Sequence, residues 1–294
     1  MSHRISIVSR TAFALAALAL CTLALPAAAQ TGPPRPSPNA TVSQVAGFTK
    51  VAVAYSSPGV KERPIWGALV PYNKVWRSGA NEATSIELST DVTVEGKPLP
   101  AGKYALFTIP GPERWTVIFS KTQQWGAFDY KEADDALRVE ATPRPAPPRE
   151  RLAYFFEDTT DDGTTLVLAW EKVEVPVRIA ADTPALALAR AAEETAAADV
   201  KPNQLINWAR WLQQKNLAAD KALVWVQRAT ATEQGAKSYW GKAVEARLLA
   251  KAGKVAEARA AAAAAVPLAP TAADADNAKA DAAKLQQEAA GWKG

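Results

Sequence analysis

Histidine, cysteine and methionine are almost missing from this 294-residue chain, which has one of each. All three, His3, Cys21 and Met1, fall in the stretch from Met1 to Ala29. That stretch has the parts of a secretory leader: Arg4 and Arg10 start it, and Thr11 to Leu25 is an apolar run. Pro26 then breaks the run ahead of Ala27-Ala28-Ala29. The run falls short of the ~20 apolar residues that span a bilayer. The sequence therefore predicts Sec-type export with cleavage after Ala29, and a periplasmic or secreted protein with no membrane span thereafter. Bulky Leu20, where a small residue would precede a lipidated cysteine, argues against a lipoprotein.

With the leader gone, the chain has no thiolate and no imidazole. Ser-His-Asp and Cys-His triads, disulfides and Cys/His metal sites are excluded together. No metal and no cofactor is expected. The remaining chemistry is that of carboxylate, lysine, tyrosine and arginine, which shifts the weight from enzyme toward binding without excluding an enzyme. Charge is also scarce in any one sign: 34 basic against 30 acidic residues give a net +4, and losing Arg4 and Arg10 lowers it to +2. There is no basic stripe of the kind that phosphate backbones require, so nucleic acid is not an expected partner.

What is present divides into two alphabets. Residues 30–39 form a Pro-rich linker (TGPPRPSP from Thr31 to Pro38) with no apolar face, read as a mobile tether. From 40 to 180 the text is strands and turns. Val51, Val53 and Tyr55 alternate, as do Ile86 with Leu88 and Val92 with Val94. Tyr104 to Ile109 and Trp115 to Phe119 are apolar on both faces, as inner strands would be. Leu152, Tyr154 and Phe156 precede Leu166, Leu168 and Trp170, and then Val173, Val175, Val177 and Ile179. Turn signals between them (Glu95 to Pro98, Pro110 to Pro112, Asp162-Gly163) complete the pattern of an antiparallel β-sandwich. Tyr130 to Ala136 reads as a short helical turn, with Glu132, Asp134 and Asp135 on its solvated face.

From 181 to 294 the residues favour helix: Ala, Leu, Lys, Glu and Gln. Thr183 before Pro184 reads as an N-cap, and Lys201-Pro202 restarts a helix with Leu205, Trp208 and Leu212 on one face. Further helices are expected at 218–230, 237–251, 254–266 and 272–289, with Gly253, Pro267 and Pro270 marking ends. Tyr239 to Pro270 resembles one tetratricopeptide repeat, with Ala246, Leu249, Gly253, Ala258, Ala265 and Pro270 at its small, apolar and turn positions. Asn203 to Thr232 looks like a degenerate copy, its Ala222 and Ala229 matching Ala258 and Ala265. The spacing between copies exceeds the ~34 residues of the regular repeat. The fold class expected is α+β by segregated domains: a β-sandwich, then a tetratricopeptide-like helical tail able to dock a protein partner.

The densest candidate site is Arg63 to Thr84 (RPIWGALVPYNKVWRSGANEAT). Trp66, Tyr72 and Trp76 surround Arg77, Asn81 and Glu82: flat rings, donors and one carboxylate. Such a set can hold a sugar or a peptide by stacking and hydrogen bonds. It can equally be scaffold, with the tryptophans filling the core and Arg77 pairing with Glu82 across a bend.

This segment, together with Val92 to Pro110, Trp115 to Ile118 and Trp125-Gly126, resembles the uncharacterised family called domain of unknown function 2911. The resemblance runs from about Ala40 to Ile179. It implies an exported bacterial β-rich domain, sometimes with a helical repeat tail, and no established activity.

Three weaker signals remain. Asp158 to Gly163 is acidic but misses calcium-loop spacing and reads better as a hairpin turn between Phe156 and Leu166. Pro143 to Pro148 reads as a stiff surface loop or a polyproline ligand. A carboxylate-dependent hydrolase, acting for example on carbohydrate with Glu82 as one of its acids, is the alternative function.

Overall fold

The computed structural model describes residues 33–122 and 127–293. The leader and Trp125-Gly126 lie outside the described residues. Ten strands form two antiparallel sheets. The first runs in the order β1 (Asn39–Ala46), β2 (Thr49–Ser56), β3 (Ser85–Leu88), β6 (Gly102–Ile109), β7 (Trp115–Ser120) and β8 (Asp135–Ala141). The second is β5 (Lys97–Leu99), β4 (Val92–Val94), β10 (Gly163–Ala180) and β9 (Arg144–Thr160). Neither sheet closes on itself. The core lies between them, with Val51, Val53, Ile86, Leu106, Val117 and Phe119 from the first packed on Leu152, Leu166, Leu168 and Ile179 from the second.

Period-two patterning explains most of this. Val51 and Val53 are buried while Ala52 and Ala54 face outward. In β10 the buried set changes phase, from Leu166, Leu168 and Trp170 to Val175, Val177 and Ile179. A bulge makes both halves face one core: the β9–β10 register slips on either side of Glu171, which sits at φ 55°. Asp161 and Asp162 turn the β9–β10 hairpin, and Phe156 pairs with Leu166 as expected. β6 and β7 are apolar on both faces because Ala105, Phe107 and Ile118, on the outer side, are covered by Val75, Ala83 and Tyr130.

Several local expectations give way. Glu132–Asp134 is one 3-10 turn, and Asp135 already belongs to β8. Arg144 to Pro148 is strand, not loop. Proline is tolerated there because β9 is the edge of its sheet. Residues 35–38 are not a free tether. Arg151 donates to the Pro36 carbonyl at 2.7 Å, Asn81 Nδ2 to Ser37 at 3.1 Å, and the Ser57 N–H to Pro38 at 2.8 Å.

Helices follow the sheets: α1 (Thr183–Ala196), α2 (Pro202–Gln214), α3 (Ala219–Thr230), α4 (Glu233–Ala236), α5 (Tyr239–Lys251), α6 (Val255–Ala265) and α7 (Ala275–Gly291). Asp182, not Thr183, caps α1 by accepting from the Ala185 N–H, while the Thr183 hydroxyl bonds the Asp161 carbonyl. Pro267 and Pro270 fall within a 3-10 turn, Val266–Thr271. Helix α2 lies against α3, and α5 against α6, over cores rich in alanine such as Ala243, Ala246, Ala262 and Ala265. Phe48, at the β1–β2 turn, stacks on Trp208 and meets Trp211 edge-on. Among the described residues no helix is long and apolar enough to cross a membrane.

Candidate functional site

The Arg63–Thr84 segment is an excursion from the edge of β6. Trp76 exchanges backbone hydrogen bonds with Thr108 at 2.7 and 2.8 Å, and Leu106 donates to the Thr84 carbonyl at 2.8 Å. Trp76 and Thr84 therefore both ladder onto β6 along the line of β3, and residues 77–83 bulge out between them. Ser78 and Asn81 turn the bulge at φ 54° and 56°. The Ser78 carbonyl accepts from Tyr154 Oη at 2.8 Å and from Thr84 Oγ1 at 3.0 Å, and Trp76 Nε1 donates to Gly79 at 3.1 Å. Gly79 is needed for contact rather than for turn freedom: a Cβ there would come 2.8 Å from Thr84 Oγ1 and 3.1 Å from the Ser56 carbonyl.

The six sequence candidates do not stay together. Trp76 stacks on Trp170 at 5.9 Å, and Trp66 meets Trp76, Trp115 and Trp170 edge-on. Both indoles are half-buried against the sandwich core. Trp66 Nε1 is buried without a hydrogen-bond partner. Tyr72 is exposed and lies over Gly67, where a Cβ would come 2.8 Å from its ring.

Arg77, Asn81 and Glu82 share the bulge. Glu82 binds Arg35 at 2.7 Å, not Arg77, and this hydrogen bond holds its carboxyl below the usual carboxylate range. Asn81 is engaged by Ser37. Arg77 makes no ion pair among the described residues; its Nε is buried and unpartnered, and burial lowers its pKa. Val75 packs on the outer side of the sheet and Trp76 on the inner, and the bulge begins at Arg77, directly after the Trp76–Thr108 bridge.

That outer side holds residues that sequence reading assigned elsewhere. Tyr130 packs edge-on against Phe107 at 5.4 Å and donates its hydroxyl to Asp135 Oδ2 at 2.6 Å. The Asp135 side chain is only 6% exposed, Arg138 Nε lies 3.5 Å away, and Asp135 Oδ1 has no partner. Burial raises the Asp135 pKa, against the pull of Tyr130 and Arg138. Arg138 also pairs with Glu132 at 2.5 Å. The available signal was the Asp-x-x-Arg of β8, obscured by the acidic run before it. Nearer β1, a cavity of about 300 Å³ opens over a small-residue floor (Thr41, Ala54, Ser85) beside Glu82.

A buried guanidinium atom without an acceptor and a buried carboxylate oxygen without a donor are each costly, by about 1–3 kcal/mol, unless a ligand or water meets them. Chemically, the bulge offers an unpartnered donor, β8 an unpartnered acceptor, and the β1–β2 end of the sheet a cavity.

Two antiparallel sheets with this bulge beside β6 define the class as a β domain followed by helices. Residues 37–179 match the family described as protein of unknown function (DUF2911). No curated protein and no solved structure matches the chain.

Proposed function

We propose that the chain is an exported, non-catalytic binding and assembly protein built of two units. Its sandwich holds a small sugar or peptide on the outer face of the first sheet, and its repeat-like helical tail docks a protein partner. The observation that carries the ligand reading is that two buried polar atoms of charged side chains, Arg77 Nε and Asp135 Oδ1, have no hydrogen-bond partner among the described residues. A ligand with both an acceptor and a donor would complete them. Asn81 and Glu82 line the approach, already bridged to the segment that precedes β1. Export rests on the Met1–Ala29 leader pattern. The test is a thermal-shift screen of the purified protein against glycans and short peptides. A hit whose stabilisation is lost in both Arg77→Ala and Asp135→Asn is expected; hits that persist in both variants overturn the assignment of the site.

A second reading, a carboxylate-dependent hydrolase, is favoured by one observation: Asp135, not Glu82, has the raised pKa that a general acid needs. Turnover of a glycan panel, abolished in Asp135→Asn with the fold intact, would establish it; no turnover would dismiss it.

A further inference from the structure

We propose that a cleft in the helical tail, walled by α2, α5 and α7, binds a small monocarboxylate with a polar body. The proposal concerns a site separate from the sandwich face and does not depend on the reading of that face. The cleft has a volume of about 370 Å³, within the range of small-ligand pockets, roughly 300–1,000 Å³.

Its floor is organised by charge. Arg247, 14% exposed, donates to both oxygens of Asp281 at 3.0 Å and to Glu288 at 2.7 Å, and Tyr239 Oη adds a bond to Asp281 at 2.7 Å. One cation thus answers both acids of the lining. Burial works to raise the Asp281 pKa, but the bonds from Arg247 and Tyr239 bring it below the ordinary value.

Two further cations remain. Lys284 lies 4.0 Å from Glu288, too far for a hydrogen bond. Arg210 makes no hydrogen bond or ion pair among the described residues; its Cζ lies 3.4 Å from the centroid of the Trp240 ring. That ring is itself fixed, since Trp240 Nε1 donates to Asp274 at 2.9 Å and the indole meets Tyr239 edge-on at 5.0 Å.

The ring covers one face of the Arg210 guanidinium and leaves its in-plane N–H edge available. A planar acceptor fork, a carboxylate, matches that edge. The lining is net positive by one charge, so a monoanion neutralises it, whereas a dianion would also meet the charge of Asp281 and Glu288. Gln213 and Gln214, on the same wall as Arg210, offer amide donors and acceptors to hydroxyl or amide groups of the ligand. A free sugar acid and the C-terminal carboxylate of a short peptide share this chemistry.

Isothermal titration of the purified protein separates the two sources. Glucuronate and an N-acetylated dipeptide acid are the probes, with glucose and the amidated dipeptide as neutral controls. At least one acid is expected to bind, its neutral control not, and the acid that binds names the source. Arg210→Gln is expected to weaken binding by about tenfold or more and Lys284→Gln by less, with both affinities falling as salt rises. The proposal is overturned if neither acid binds, if the neutral controls bind equally, or if Arg210→Gln, with unchanged circular dichroism, binds as well as the parent protein.

Discussion

Glu82 accepts a hydrogen bond from Arg35 at 2.7 Å, which ties the Pro-rich segment ahead of β1 to the bulge that follows Trp76. Both side chains are more than two-fifths exposed. A pair so solvated contributes about 0–1 kcal/mol. The Glu82 pKa is depressed in the folded state, so its stabilisation is present above the ordinary carboxylate pKa and lost as pH falls through the lower folded value. Glu82→Gln is expected to change stability by less than ~1 kcal/mol at neutral pH. It should also flatten the acid limb of a denaturant-stability profile; a larger neutral-pH loss would show that the bridge matters more than its exposure implies.

Asp135 has the opposite sign. Its pKa is raised, so the folded state holds a proton that the unfolded state has already released. The associated stability is present below the ordinary carboxylate pKa and disappears as pH rises through the folded value. Asp135→Asn should therefore leave neutral-pH stability unchanged or higher while removing that slope. Tyr130→Phe, which takes a donor from the carboxylate, should cost about 1–2 kcal/mol. Chemical denaturation from about pH 2.5 to about pH 8, which spans the ordinary carboxylate value of ~4 on both sides, reads both effects.

Gly79→Ala places a methyl 2.8 Å from Thr84 Oγ1 and 3.1 Å from the Ser56 carbonyl. Overpacking of this kind costs about 1–3 kcal/mol. Because Gly79 lies between Arg77 and Asn81, the same substitution should abolish any ligand-induced thermal shift. An alanine variant with parental melting temperature and parental ligand response would show that the bulge is looser than its contacts indicate.

Phe48→Ala removes the ring that packs on Trp208 and Trp211 and over which Arg190 lies at 5.6 Å. The Lys215–Asp161 bridge at 2.6 Å remains but is exposed. A loss of about 1–3 kcal/mol is expected, less than for a fully buried phenylalanine. Calorimetry should then resolve separate transitions for the sheets and the helices; one unchanged transition would mean that other contacts couple them.

Much of the architecture was readable from pattern. The phase change between Trp170 and Val175 is visible in the letters, and so is the change of alphabet after Ala180. β8 was missed because Glu132 to Asp135 reads as a polar helical turn, while its strand character depends on pairing with β7. The Arg77–Glu82 bridge was a fair local expectation that lost to Arg35, forty-seven positions away. Asp135 was unreadable as a site residue because its bond from Tyr130 depends on that ring packing against Phe107, a residue of β6.

By itself the sequence determined what can be decided locally: two kinds of secondary structure in two stretches, and the confinement of the single His, Cys and Met to Met1–Ala29. Periodicity and composition act through neighbours a few residues apart, and these survive without knowledge of the fold. Which charges are paired was decided only by tertiary structure. Arg35 reaching Glu82, Arg247 reaching Asp281 and Arg210 lying on Trp240 all join distant segments. Whether a charged group is solvated, bridged or left half-satisfied depends on the atoms packed around it.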